Sequence, residues 1–574
     1  MKFRWSPAPP QPLLADKLAL QLKLSPLLAQ CLVNRGLSEP GSIEHFLRPR
    51  LKQLADPFLL PNMNTAVERL LRARETGETL VIFGDYDVDG VTSTTLLTEM
   101  LGALGWSVQA YLPHRMDEGY GLSQDGVENC LKKFPTKLLL AVDCGSTAVQ
   151  TIAWLKEQGV DVIVLDHHQV SSPPPAAVAL VNPQLTTDSG RKAQDFKELC
   201  SAGLAFKLAH ALVKRGREIG LSGAAKFDLR PLLDLVALGT IADLVPLVGE
   251  NRILVSAGLE RLSITQRPGL VALKQVAQCP PTLGTYEVGF QLGPRLNAAG
   301  RLETAEESLH LLLAPDVQSA LTIAQRLDSQ NRERQKIERS IVDEVAGAVR
   351  ARFNPETDFV IVEGQLLWHI GVVGIVASRV LQEFYRPTFI VGGDGENWRG
   401  SGRSIAGFDL AAALRECDDL LIRHGGHAMA AGITIHPDKL DAFRSRLNDL
   451  ARRSLRLEDL QPPLRLDAEV NLGDITLAAL AELDQLKPTG MGNPMVQFFA
   501  RGLTHQRPLL RMGAEKQHVK LWLTDGPTSH EAVWWNAGKE SLPAGKFDVA
   551  FAPQVNDYNG KHTVQLKVLD WRPG

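Results

Sequence analysis

The stretch Val81-Ile82-Phe83-Gly84-Asp85-Tyr86-Asp87-Val88-Asp89-Gly90 constrains this chain more than any other. Its apolar start reads as a strand buried on both faces, as in a parallel sheet. The strand empties at once into three carboxylates at alternate positions. In open α/β sheets ligands collect outside the carboxyl ends of the strands, and three like charges crowded there repel one another unless a cation intervenes. Asp and Gly are also ordinary turn formers, so the stretch alone is equally a hydrated turn between strand and helix. Later strands decide between the two.

The same unit recurs. The apolar run 137–142 ends in Asp143-Cys144-Gly145-Ser146 and leads into a helical stretch over 147–158, and the run 160–165 ends in Asp166-His167-His168. Strands alternating with helices are expected to lie parallel and adjacent, which carries these side chains and Asp85, Asp87 and Asp89 to one crevice. Asp243, in Gly239-Thr240-Ile241-Ala242-Asp243, is a further carboxylate candidate, read as a fourth strand end. Each has an ordinary account alone: Asp143 a helix cap, His168 a surface histidine, Asp243 a turn former. Together they make an oxygen-rich set with one or two imidazoles, which suits two divalent ions of the Mn²⁺ or Mg²⁺ kind better than zinc, because no thiolate cluster joins them. Cys144 reads as a small packed residue.

At 574 residues the chain is too long for one hydrophobic core, so several domains are expected. The formal net charge of −3 removes any bulk polycationic attraction to nucleic acid, which leaves local basic surfaces to make such contacts. The six cysteines show no CxxC spacing, so neither a disulfide framework nor a structural zinc site is expected. Without an apolar leader at the start or a run long enough to span a bilayer, the expected location is cytoplasmic, with no membrane partner.

Residues 1–50 read as a Pro-rich arm and a small helical cap, 51–320 as the α/β domain of the acidic crevice, and 321–350 as a connecting helix. On that helix Arg332, Lys336 and Arg339 share one face that could follow a phosphate backbone or simply be solvated. Residues 351–455 form a second α/β domain. There the glycine-rich 369–374 opens a helix, a place where backbone N–H groups accept phosphate, and Arg379, Ser401, Arg403 and Gly425-Gly426-His427 supply further donors. From 456 to 574 short β-type runs alternate with turn residues, which suggests a small barrel of the OB type. Trp522, Trp534, Trp535 and Tyr558, near Arg507, Arg511, Lys516 and Lys520, are candidates for stacking single-stranded bases, most of them expected in the core.

Taken in order, Asp85-Tyr86-Asp87-Val88-Asp89-Gly90, Val142-Asp143-Cys144-Gly145, Asp166-His167-His168 and Gly239-Thr240-Ile241-Ala242-Asp243 resemble the four motifs of the DHH phosphoesterase superfamily. Pro113-His114-Arg115, Gly293-Pro294-Arg295-Leu296-Asn297-Ala298-Ala299-Gly300-Arg301, Trp368-His369-Ile370-Gly371, Arg399-Gly400-Ser401-Gly402-Arg403-Ser404 and Gly425-Gly426-His427 extend the resemblance from about residue 56 to the end. They place it in the branch of bacterial single-strand-specific 5′→3′ exodeoxyribonucleases. The resemblance implies an α/β fold with a parallel-sheet DHH phosphoesterase domain, a DHH-associated α/β domain beyond a long helix, and a C-terminal OB-like β-barrel. It implies two ions held by Asp85, Asp87, Asp89, Asp143, His167 and Asp243, with Asp143 bridging. His168 would contact a non-bridging phosphate oxygen, and Asp166 would hold the imidazoles in place. Arg115, Ser401 and Arg403 would hold a 5′ phosphate, with Arg295, Asn297, Arg301, Arg379, His427 and Trp522 as further substrate contacts.

Implied too are release of 5′-mononucleotides in DNA recombination and repair, including mismatch repair, a monomer, and a single-strand-binding protein and a helicase as partners. The rival expectations are a DHH phosphodiesterase of short oligonucleotides or cyclic dinucleotides and a non-catalytic DNA-binding replication scaffold.

Overall fold

The computed structural model describes every residue except 1–2, 115–116, 120, 186–195, 394, 539, 541–544 and 559, with only the backbone of Tyr558. These residues divide into two compact units. One comprises Glu44–Glu333 with Leu486–Pro494, and the other Met1–Ile43, Arg334–Gln485 and Met495–Gly574.

In the first unit five strands lie parallel in the order Ser107–Tyr111, Thr79–Phe83, Leu138–Val142, Asp161–Leu165, Ala179–Val181. The strands are apolar at nearly every position because both faces are covered. Leu80, Ile82, Leu138, Leu140 and Val142 pack into one core, and their neighbours Val81, Phe83, Leu139 and Ala141 into another. Helices Val88–Ala103, Ser201–Glu218 and Leu233–Ala242 supply much of the larger core. All the loops that leave the carboxyl ends of the strands therefore open on one edge.

The short stretch Leu486–Pro494 belongs to this unit although the 152 residues of Arg334–Gln485, which belong to the other unit, precede it in the chain. Arg252 holds it. This buried guanidinium donates to the carbonyls of Leu486 at 3.0 Å, Lys487 at 2.8 Å and Pro488 at 3.3 Å, and to Phe46 at 2.7 Å. Leu247 N–H donates to Met491 at 2.7 Å and the Thr285 hydroxyl to Thr489 at 2.8 Å.

In the second unit a five-stranded sheet runs Arg423–Gly426, Ala430–Ile435, Trp398–Arg403, Thr388–Gly393, Ile361–Leu366, parallel only in its last pair. A seven-stranded sheet follows from Ala468, and Phe498–His505 pairs with both Phe547–Tyr558 and His518–Thr524, which closes it into a barrel. Helix Val317–Arg352 is continuous over 36 residues and contributes to both units, four residues earlier at its start than the expected connecting helix.

The N-terminal arm holds the expected helices and, ahead of them, a strand that was not read from the sequence. Its helices Pro12–Leu22 and Pro26–Asn34 are preceded by a strand, Arg4–Pro7, parallel to Pro463–Leu466. The reason is packing: Trp5 meets Phe499 edge-on at 5.9 Å and its indole N–H donates to Asp570 at 2.9 Å, so the arm serves the barrel.

Candidate metal centre

Three strand ends build most of the centre. After Phe83 the chain turns so that Asp87 caps helix Val88–Ala103, accepting from Gly90 N–H at 3.0 Å, and Asp89 falls in its first turn. A Cβ on Gly90 would stand 2.4 Å from the Asp85 carbonyl oxygen, so no other residue allows this loop to fold so tightly on its own helix. After Val142, Asp143 adopts φ +63°, a left-handed backbone that a non-glycine residue accepts only under constraint. After Leu165 come Asp166, His167 and His168.

The carboxylates and imidazoles converge. Ligand atoms of Asp85, Asp87 and Asp143 lie within 4.8 Å of one another, as do those of Asp89, His167 and Asp243, and those of Asp143, His167 and His168. Asp143 is thus shared between the Asp85/Asp87 side and the histidine side. His167 Nε2 stands 3.4 Å from Asp143, 3.5 Å from Asp243 and 3.9 Å from Asp89, yet it makes no hydrogen bond, and neither does Asp243 Oδ2. Buried polar atoms are normally satisfied. An oxygen-rich set joined by imidazole, with His167 Nε2 and Asp243 Oδ2 left without donors, fits hard divalent cations, and Mn²⁺ or Mg²⁺ above zinc.

Charge tells the same. Burial, with Asp87 adding to it, pushes Asp89 up to about 7, and burial with Asp89 pushes Asp243 up to about 9. Burial and the surrounding acids lift Asp143 well above the carboxylate range. Burial and His168 hold His167 down to about 4, so its imidazole is neutral at ordinary pH. His168 differs: burial opposes its charge, but its Nδ1–H donates to Asp166 at 2.8 Å and the balance lifts it to about 9. Asp166 is no ligand here. Despite burial it is held well below the usual range by His168 and by backbone N–H groups of Ser146, His167 and His168.

Asp243 is a correction. It is no strand end but the C-cap of helix Leu233–Ala242, which is buried all round and so carries the unbroken apolar run of a buried strand. Ser201 was not singled out in the sequence. Its hydroxyl donates to Asp143 at 2.8 Å, and at its helix start the N–H groups of Ser201 and Ala202 donate to Asp89 at 2.7 and 2.8 Å. Asn182 was also missed, though it directly follows the parallel strand Ala179–Val181: its amide donates to the His168 carbonyl and to Ser146, both at 2.8 Å.

Of the other candidates in this unit, Asn297 accepts from Val88 N–H at 3.2 Å and so braces the acidic loop. Arg295 is paired with Asp328 at 2.9 Å. Arg301 lies on the same helix, Gly293–Leu302, and Arg115 falls outside the described residues. In the second unit Ser401 and Arg403 gather at the start of helix Val373–Phe384: a Cβ on Gly374 would stand 3.2 Å from each side chain. Arg379 on that helix donates to Glu338 at 3.1 Å, and His427 sits exposed in the turn between two strands. In the barrel Trp522 is half-exposed between Arg507 and Lys520, 5.4 and 5.7 Å from its ring. Trp535 is exposed, Trp534 half-exposed, and the Tyr558 side chain lies outside the described residues. The stripe residue Arg332 pairs with Asp328 at 2.7 Å.

Residues 79–240 match the family model for the DHH family N-terminal domain, 357–453 the DHHA1 domain and 466–570 the RecJ OB domain. The chain is 37% identical over 575 residues to the single-stranded-DNA-specific exonuclease RecJ of Bacillus subtilis, covering 99% of this chain and 71% of that one. To the protein of the same name from Dickeya dadantii it is 36% identical over 567 residues, covering 95% and 96%. Among solved structures it is similar to RecJ from Thermus thermophilus in complex with Mn²⁺, with a TM-score of 0.84, 31% identity, and coverage of 100% and 80%. The Mg²⁺ complex of that protein gives a TM-score of 0.78 at 30% identity, with coverage of 100% and 78%.

Proposed function

The chain belongs to the RecJ family of DHH phosphoesterases, and we propose that it degrades single-stranded DNA from the 5′ end, releasing 5′-mononucleotides. The observation that carries this reading is the convergence of the acids and imidazoles, in which His167 Nε2 and Asp243 Oδ2 are buried without a hydrogen bond. Asp85, Asp87, Asp89, Asp143, His167 and Asp243 would hold two Mn²⁺ or Mg²⁺ ions. Asp85 and Asp87 would contribute from one side, Asp89, His167 and Asp243 from the other, and Asp143 lies within reach of both groups. Bound there, such ions would acidify a water into hydroxide, polarise the phosphodiester and stabilise the leaving 3′ oxygen.

The protein's own groups do the rest. Ser201 and the start of its helix fix Asp143 and Asp89 so that the acids cannot turn away from one another. Asp166 keeps His168 charged and oriented, and its free ring N–H is the donor for a non-bridging phosphate oxygen. In the second unit Ser401, Arg403 and the helix start beside them would capture a terminal 5′ phosphate, which sets the direction of cleavage. Arg295, Asn297, Arg301, Arg379 and His427 are supporting contacts, and Trp522 between two cations would stack a base. We place the reaction in recombination and repair in the cytoplasm, by a monomer supplied with strand by a single-strand-binding protein and a helicase. Among the described residues no helix is long and apolar enough to cross a membrane.

The test is Mn²⁺-dependent digestion of a 5′-phosphorylated single strand beside the matching duplex and a dinucleotide. Mononucleotides from the single strand, with the duplex spared, are expected. Cleavage of the dinucleotide with the long strand intact would move the assignment to a small-substrate phosphodiesterase, and absence of both cleavage and metal binding to a scaffold.

A further inference from the structure

Tyr286 and Phe290 are 61% and 69% exposed, and their rings stack with centroids 5.1 Å and planes 28° apart. One exposed aromatic needs no explanation, but a stacked pair is an ordered apolar surface kept in water. Its backbone is uncommon as well. The turn Thr285–Glu287 runs into a π-helix, Val288–Leu292, a form rare in proteins and concentrated at functional sites. Val288 and Leu292 are buried, so the segment packs inward on those residues while the rings remain outside.

The π-helix that carries Phe290 packs against the element that positions Asp243. A Cβ on Gly289 would stand 4.0 Å from Ile241, and one on Gly293 3.6 Å from Ala242, so the π-helix runs along the last turn of the helix that ends at Asp243. Leu244, next in the chain, is 69% exposed and held at φ +60°. On its other side the π-helix continues into Gly293–Leu302, which presents Asn297 to the acidic loop.

We propose that Tyr286 and Phe290 are a stacking ledge for a nucleobase of the substrate strand near the phosphate being cut. The inference rests on the nuclease reading above and deepens it. A nucleobase fits better than a protein side chain for two reasons. The helix that carries the rings packs along the helix capped by Asp243, one of the proposed metal-holding acids. And an enzyme that removes successive nucleotides needs a grip indifferent to base identity, while a π-face is what all four bases share. Such a ledge would fix the sugar-phosphate next to the base without reading sequence.

The test uses the full chain in chelator, so that strands bind uncut. Single strands carrying 2-aminopurine at successive positions are titrated with wild type, Phe290→Ala, Tyr286→Ala, the double alanine variant and Phe290→Trp. Fluorescence should change sharply at one position with wild type and Phe290→Trp. The double alanine variant should bind the strand about tenfold more weakly. An abasic site at the reporting position should cost wild type the same factor and the double variant nothing more. Equal affinity of wild type and double variant overturns the ledge, and so does an abasic penalty that persists in full in the double variant. If thermal melts show the double variant unfolded, the abasic strand on wild type decides, and no penalty there overturns the ledge. Failure of wild type to degrade DNA with Mn²⁺ would instead reject the nuclease reading, and the binding comparison would still be read separately.

Discussion

Within the first unit, two sets of buried charges meet opposite fates. The Lys207 ammonium, wholly buried, donates to Glu250 at 2.7 Å and to the Ala55 carbonyl at 2.9 Å. Arg267 is paired with Glu99 and with Asp234, which also accepts from Thr265 at 2.7 Å. In these places the chain supplies both signs of charge and the acids are complete. At Asp89 and Asp143, equally buried, and at the partly buried Asp243, the chain offers N–H groups, a hydroxyl, a neutral imidazole and only the His168 imidazolium, already paired with Asp166, and the acids are driven toward their protonated forms. Desolvation of charge without a partner is costly in any core. Where a protein tolerates it in several acids at one edge of a parallel sheet, the missing charge is one that it binds.

That contrast can be broken most sharply at Asp143. Asparagine tolerates the left-handed backbone there, so Asp143→Asn should keep its circular dichroism yet lose about a thousandfold or more in Mn²⁺-dependent nucleotide release, since several kcal/mol of charge stabilisation depend on the site. Undiminished release would sink the metal assignment. The self-neutralised cluster should respond in stability instead. Lys207→Met removes the ammonium from buried Glu250, and urea melts should show about 3–5 kcal/mol lost.

Between the two lies Asp166, an acid satisfied by the chain in order to serve the centre. Asp166→Asn should slow release by about 10–100-fold. His168 is charged below its raised value, so the wild-type rate should fall as pH rises through about 9, and in the variant that fall should begin nearer the ordinary histidine value. A variant with the wild-type alkaline limb would remove Asp166 from this role.

The smallest effect concerns stability without metal. Acids with raised folded values favour the folded state fully at low pH, and that contribution is lost as pH rises through about 7 for Asp89 and about 9 for Asp243. In chelator the melting temperature of wild type should therefore drop from pH 6 to pH 9. Asp243→Asn should drop less, by a few degrees, and gain less from added Mn²⁺. Identical melting curves for the two proteins would contradict the charge imbalance.

The centre was partly legible in the sequence for a physical reason. Strands buried on both faces are nearly unbroken apolar runs, and acids placed directly after them have no packing role, so Phe83, Val142 and Leu165 announce their own ends. Asp243 misled because a helix buried on every side shows no helical periodicity. Ser201 and Asn182 act through single hydrogen bonds between distant segments, and small polar residues at such places look like caps and turns. The barrel's runs were visible by alternation, but the pairing of Arg4–Pro7 with Pro463–Leu466 was not, since contacts across such separations leave no local pattern.

The return of Leu486–Pro494 to the first unit, under the clamp of Arg252, bears on when the protein comes into being. During synthesis the acids of the centre emerge early, whereas the strip that Arg252 and Leu247 bind follows only after the whole second α/β domain. Until then the Arg252 guanidinium waits without those carbonyls. A ribosome-bound chain would thus carry its full set of acids inside an unfinished shell, and maturation of the nuclease would be timed by translation of a segment that contributes none of the six proposed ligands.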